Sequence, residues 1–473
     1  MRILFASAEV SPFSKTGGLG DVAAALPVAL SRRGHEVTVV SPLYGSVDRE
    51  GMRRLDREVL GRRIWEHGDH GDRSGERRAR LLFVEDEALF GRQGIYGEKG
   101  EDYTDNARRF GLLSEILLPL ADVHVDGPLD LLHLNDWQTG LAAFALARSR
   151  GLRPGLTRSV FTIHNLGYQG VFPKETVEAL GLSWDAFTPE GFEFYDQLNC
   201  MKAGLAFADR ITTVSPTYAR EIQEPEQGFG LDGILRSRSD RLVGILNGVD
   251  YEIWSPEHNP RIAATYSALD LGGKALCREA LCEELGVDAE GGLLIGIVSR
   301  FAAQKGFDLL IEALPRLLEQ GISFAILGSG EHRYEHAIER AAADYPGRIG
   351  LRLGFDEALA HRIYAGADAF LMASLYEPCG LGQLYALRFG AVPIVRATGG
   401  LIDTVEDASI SEGTGFRFEG FSAAELIGAV LRAADVFADE EEWRALQRRG
   451  MSRDFSWGAA AKAYEEVYRS LSS

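Results

Sequence analysis

Residues 1–42 read MRILFASAEVSPFSKTGGLGDVAAALPVALSRRGHEVTVVSP, and the order of apolar and glycine-rich segments in them decides the fold class. Residues 2–8 are a short, nearly continuous apolar run, the pattern of a strand buried on both faces. Residues 14–20 form a glycine-rich loop, and 21–33 carry helical spacing that Gly34 closes. Residues 36–40 are β-branched again. Strand, loop, helix and strand in this order make a βαβ unit with parallel strands.

The alternation continues outward. Strand patterns recur at 79–84, 129–134, 159–163 and 210–214, then at 293–299, 323–327, 350–353, 369–373 and 392–395. Helical patterns at 308–319, 334–343, 357–366 and 382–390 lie between the later ones. The predicted class is α/β, with two doubly wound parallel sheets. Between them the turn Asn247-Gly248-Val249-Asp250, followed by Pro256 and Pro260, marks a hinge. The first domain is therefore placed at 1–246 and the second from 247 onward. Segment 48–80, crowded with Arg, Asp and Gly, reads as a surface insertion. Ligands of open α/β sheets bind beyond the carboxyl ends of strands, so the site is expected in a cleft between the domains.

At 473 residues the chain has room for two or three domains. Its 50 Lys and Arg against 69 Asp and Glu give a net charge of −19. That balance speaks against nucleic acid or an anionic membrane as partner, because both need clustered cations. The four cysteines are scattered without a CxxC, which argues against a disulfide framework or a structural zinc site. No leader pattern opens the chain, and no apolar run approaches the roughly 20 residues of a membrane span. A cytoplasmic protein is expected.

Several loops could carry chemistry. Lys15-Thr16-Gly17-Gly18 follows the first strand and opens a helix, where free backbone N–H groups and a lysine suit an anion. A tight βα turn with a solvated lysine would look the same. Arg300 and Lys305 fall at the end of the second domain's first strand, where a pyrophosphate would lie. Glu377-Pro378-Cys379-Gly380-Leu381-Gly382 precedes another helix, and Glu377 suits sugar hydroxyls or a developing cation as well as a capping role. Cys379 has no adjacent His to activate it. His164 and Asn165 stand at one strand end and Asp136 and Trp137 at another, the latter pair offering a carboxylate and a ring face to a sugar. The cluster His67-Gly68-Asp69-His70-Gly71-Asp72 has metal-ligand types but no flanking element to fix them, and reads as a solvated loop.

Taken together these motifs resemble glycosyltransferase family 5, the bacterial glycogen synthases and plant starch synthases. The resemblance runs over essentially the whole chain. Its landmarks include Lys15-Thr16-Gly17-Gly18, Phe161-Thr162-Ile163-His164-Asn165, Lys202-Ala203-Gly204, Gly230-Leu231-Asp232-Gly233, Glu377-Pro378-Cys379-Gly380-Leu381 and Thr398-Gly399-Gly400-Leu401. It implies the GT-B fold of two Rossmann-like domains across a deep cleft, with a C-terminal helix at 457–473 returning to the first domain. It also implies retaining transfer of α-glucosyl from ADP-glucose to the non-reducing end of an α-1,4-glucan such as glycogen, without an obligatory metal or other cofactor.

By the same resemblance, Lys15, Gly18, Arg300, Lys305, Phe355, Gly380, Leu381 and Gly382 would hold the nucleotide and its phosphates. His164, Asn247, Glu377 and Cys379 would line the glucosyl pocket, and Asp136, Trp137 and Asn165 the acceptor site. Lys15, His164, Arg300, Lys305 and Glu377 would carry the chemistry. Replacing Arg300 or Lys305 by Ala is expected to slow turnover by at least about 10²–10³-fold while leaving the fold stable. The chain departs from the family pattern at Gly382, where Thr or Asn is common, at Leu375-Tyr376, where the family has Arg-Phe, and at Gln138. Another GT-B transferase using UDP-glucose, or a non-catalytic glucan-binding relative, is the competing reading. Tyr385, eight residues after Glu377, stands where those transferases commonly have a second Glu.

Overall fold

The computed structural model describes residues 1–68, 79–98, 100–150 and 157–471, which form two compact units, Met1–Gly248 with Trp457–Ser473 and Val249–Ser456. In the first unit the sheet runs Leu242–Gly244, Arg210–Thr213, Arg158–Ile163, Leu131–Asn135, Arg2–Ala6, Glu36–Pro42, Arg80–Glu85, Arg63–His67, Met52–Arg54. The first seven strands are parallel. Strands Arg2–Ala6 and Leu131–Asn135 are almost wholly buried, as their apolar runs require.

Segment 48–80 corrects the expectation of a surface insertion. Met52–Arg54 and Arg63–His67 add two antiparallel strands to the sheet edge, and Trp65 Nε1 donates to Glu85 of the neighbouring strand at 2.9 Å. Their basic residues hid the pattern: Met52–Arg54 is the edge strand, which buries little and tolerates charge on its open side, and Arg63–His67 beside it is only partly buried. His67 ends one of these strands with its ring against Phe13; Asp69, His70, Gly71 and Asp72 lie outside the described residues.

Helix Trp137–Ser149 packs on Cys200–Phe207 closely enough that a Cβ on Gly140 would stand 2.0 Å from the Cys200 carbonyl oxygen. The last helix, Trp457–Arg469, belongs to this unit and lies on Gly18–Arg32. Tyr468 Oη meets His133 Nδ1 at 2.7 Å, and Arg33 pairs with Glu465.

The second unit's sheet is parallel throughout, in the order Ile349–Leu353, Ser323–Gly328, Leu294–Val298, Ala369–Met372, Val392–Arg396, Phe416–Phe418. Helices Phe307–Glu319 and Ala423–Phe437 bury their apolar stripes in one core cluster with Ile295, Phe324 and Ile394. In both units the first strand lies between the second and a later one, so chain direction across the sheet reverses beside it. That switch point is where α/β sheets open a crevice at strand ends. Among the described residues, no helix is long and apolar enough to cross a membrane.

Candidate functional site

In the first unit the crevice is built on Glu9, a buried carboxylate that sequence reasoning missed. Its Oε2 accepts the N–H groups of Thr16 (2.7 Å) and Gly17 (3.3 Å), and Oε1 accepts the hydroxyls of Thr16 (2.7 Å) and Tyr96 (2.6 Å). Four donors on one carboxylate set the shape of the Lys15–Gly18 loop. Its only signal in the sequence was a lone acid inside the apolar run Ser7-Ala8-Glu9-Val10. The helix after the loop, Gly18–Arg32, has no side-chain cap, and a Cβ on Gly17 would meet nothing within 4 Å. Its first N–H groups therefore stand ready for an anion. Lys15 Nζ lies beside them, held by Asp21 Oδ1 at 2.7 Å.

The neighbouring strand ends bring His164, Asp136 and Asn135 together. Asn135 Nδ2 donates to the Ala6 carbonyl, which turns its Oδ1 towards His164 Nε2 at 2.9 Å. His164 Nε2 thus carries the proton, and burial lowers the pKa of the ring to about 3, so it is a neutral imidazole. Asp136 accepts the His164 backbone N–H at 2.7 Å and sits at φ 54, a region that few non-glycine residues adopt. Burial lifts its carboxyl to about 7. Trp137 is half-buried, its ring packed against Phe110 and Phe172 and under Gly170, rather than standing open as a sugar-stacking face. Asn165 Oδ1 accepts the Gly167 N–H at 3.0 Å. Asn247 is buried, and its Oδ1 has no hydrogen-bond partner among the described residues, an orphan acceptor of the kind that a ligand donor satisfies.

In the second unit Arg300, Lys305, Glu377, Leu381 and Gly382 line one cavity of about 270 Å³, with Ser374, Tyr364 and Tyr385. Lys305 Nζ meets Glu377 Oε2 at 2.6 Å, and Ser374 Oγ donates to the same oxygen at 2.9 Å. Against the expectation that Lys305 can be removed without cost to the fold, Glu377 is only 6% exposed and would be left without its cation, so a cost in stability is expected. Arg300 is exposed, and its guanidinium has no partner among the described residues. Gly306 turns the chain after Lys305 at φ 76, pressed so close to the residue that follows strand Ala369–Met372 that a Cβ would stand 2.0 Å from the Ala373 carbonyl oxygen.

The Glu377 loop is shaped by Gly380 at φ 73 and buttressed by Gly400, whose N–H donates to the Glu377 carbonyl. Cys379 is buried, and its carbonyl accepts Gln383 Nε2 at 2.9 Å. At Gly382 a Cβ would meet the side chains of Phe370, Met372 and Tyr364 at 3.1–3.4 Å, a tight fit in which those side chains would have to give. Phe355 follows strand Ile349–Leu353 and is 87% exposed, an aromatic ring on offer to a flat partner. Tyr385 stacks on Trp254 at 4.0 Å and lines the cavity, filling the position of the second Glu with an aromatic wall.

Residues 2–237 match the family described as starch synthase catalytic domain, and 286–449 match glycosyl transferases group 1. The chain is 51% identical to a glycogen synthase of Anaeromyxobacter sp. (strain Fw109-5), over 100% of both chains. It is 49% identical to one of Myxococcus xanthus, over 100% of this chain and 99% of that one. The chain belongs to the glycogen synthase family. As a glycogen synthase family enzyme it is a glucosyltransferase of glycogen synthesis. The catalytic domain of starch synthase IV from Arabidopsis thaliana, solved bound to ADP and acarbose, aligns with a TM-score of 0.89 and 35% identity over 100% of this chain and 99% of its own. A sucrose-phosphate synthase from Thermosynechococcus elongatus, 20% identical with a TM-score of 0.60 over 99% and 98%, shares the fold. The two Rossmann-like sheets are those of the GT-B glycosyltransferases.

Proposed function

We propose that this glycogen synthase family enzyme transfers α-glucosyl from ADP-glucose to the non-reducing end of an α-1,4-glucan, with retention at the anomeric carbon. The observation that carries the donor site is the cavity in which Arg300 and the Lys305–Glu377 pair stand together. Breaking the glucose–phosphate bond leaves negative charge on the β-phosphate, and fixed cations lower the energy of that state most. Arg300, Lys305 and Lys15 would supply them, so no step requires a metal ion. Glu377, held by Lys305, accepts sugar hydroxyls and stabilises the cationic character of the anomeric carbon. Its tie to Lys305 and Ser374 makes it a poor nucleophile, so the acceptor hydroxyl attacks from the side the ADP leaves and gives its proton to the departing phosphate. Neutral His164 serves as a hydrogen-bonding group, and the orphan Oδ1 of Asn247 accepts a glucosyl hydroxyl. Phe355 packs on the adenine.

The ADP and acarbose held by the plant relative support a nucleoside diphosphate and an oligosaccharide as the two ligands. Four cysteines outside any disulfide fit the reducing cytoplasm as the setting. The test is competition between labelled ADP-glucose and UDP-glucose at equal concentration with one glycogen primer. Polymer-bound label should come chiefly from ADP-glucose and persist in EDTA. Preferential use of UDP-glucose, or loss of activity restored by Mg²⁺, would overturn the corresponding part.

A further inference from the structure

Beyond Asn165 the first unit carries a feature that the transfer reaction does not use. The loop 164–170 runs on from the strand end into a small antiparallel sheet of Val171–Pro173, Gln197–Asn199 and Glu193–Phe194. The hairpin joining the last two has Tyr195 and Asp196 at its tip, at φ 50 and 62. Two positive φ values in a two-residue hairpin call for Asn-Gly or a similar pair, and a tyrosine is a costly choice there. The ring it presents is 79% exposed.

Tyr168 and Phe229 are exposed on neighbouring loops, and Phe229 is again at positive φ, 48. Gln169 ties these pieces together. Its Nε2 donates to the carbonyls of Leu166 (3.2 Å) and Phe229 (3.1 Å), and its Oε1 accepts Asn199 Nδ2 at 2.7 Å. Phe194 lies edge-on to Tyr195 and against Gly230. Gly230 also lines a cavity of about 320 Å³ with Glu190, Lys202, Ser237 and Arg238. Lys202 Nζ donates to the Glu193 carbonyl, so the cavity wall is part of the hairpin's support.

We infer that Tyr195, Phe229 and Tyr168 form an outer binding surface for the acceptor glucan, continuing the acceptor site from Asn165 across the small sheet. This rests on the glucan-acceptor reading above and adds where a long chain lies. A neutral glucan offers apolar ring faces and many hydroxyls. Exposed aromatic rings beside the Lys174–Asp196 pair and the polar cavity match both. Continuity through the loop 164–170 argues for the acceptor rather than an unrelated partner.

The test compares Tyr195→Asn, which keeps a residue tolerant of positive φ, and Tyr195→Phe with the unaltered chain. Initial rates are measured with maltotriose and with glycogen, and mobility in a native gel containing glycogen. Tyr195→Asn should raise KM for glycogen about three- to tenfold, leave KM for maltotriose unchanged, and reduce retardation in the gel, while Tyr195→Phe preserves both. An unchanged ratio of the two KM values, or unchanged retardation in Tyr195→Asn, would overturn the assignment. The gel needs no donor, so a failure to use ADP-glucose would defeat the donor reading and leave this test standing.

Discussion

At the scale of single residues, the two cations of the proposed donor cavity are not equivalent. Arg300 stands exposed and unpaired among the described residues, so on the proposed reading Arg300→Ala removes charge from the departing diphosphate and little else. Its kcat should fall about 10²–10³-fold with an unchanged thermal midpoint. Lys305→Ala should lose as much rate and also about 1–3 kcal/mol of stability, less than a fully buried pair because Lys305 is 23% exposed. Parallel kinetics and calorimetry separate the two, and equal midpoints in both variants would show that the ion pair carries no stability. Glu9 offers a third case. Glu9→Gln turns one acceptor of the Thr16, Gly17 and Tyr96 donors into a donor. Hydrogen bonds to a charged group are worth about 1.5–3 kcal/mol each, so the loop should loosen and KM for the donor rise about tenfold. A wild-type KM in that variant would remove Glu9 from the positioning of the loop.

At the scale of elements, what holds the site is close backbone approach, and this was the part least legible in the sequence. Gly306 is the sharpest instance. Ala at this position needs φ 76 and space that the Ala373 carbonyl already occupies, so Gly306→Ala should displace Lys305, abolish turnover and cost several kcal/mol. Full activity in that variant would mean the loop reaches Glu377 some other way. The parallel strands were legible because burial on both faces writes an unbroken apolar run, as in Ser323–Gly328 and Leu131–Asn135. Lys15, Arg300, Lys305 and Glu377 were legible because strand ends and glycines bracket them. Glu9 and Tyr96 were not, since 87 residues separate them and no short motif records the contact. The outer strands Met52–Arg54 and Arg63–His67 escaped for another reason, their charge, and the packing of Trp137 was not legible because a ring beside an Asp looks alike whether it faces solvent or Phe110.

At the scale of the whole molecule, the buried titratable groups set how stability follows pH. His133 and His164 are neutral in the folded first unit, each pushed down to about 3 by burial. Unfolded, they bind protons below about 6.5, so each lowers stability as pH falls from 6.5 towards 3. His35 and His124 are shifted in the same direction. Asp136 acts oppositely. Its folded-state pKa of about 7 lies above the unfolded value of 3.8, so between those limits the folded unit holds a proton that the unfolded chain lacks. Acidification from 7 to 4 therefore strengthens the fold at Asp136 while weakening it at the histidines. Asn at this position keeps an oxygen for the His164 N–H and tolerates φ 54, but it cannot titrate. Asp136→Asn should thus lose about 2 kcal/mol more than the unaltered chain between pH 7 and pH 5. Amide exchange in strand Leu131–Asn135 reads this locally, without assuming that the two units unfold together. Equal pH dependence in the two proteins would mean that Asp136 is ionised throughout, and its carboxylate would then have to be counted among the charges of the proposed acceptor site.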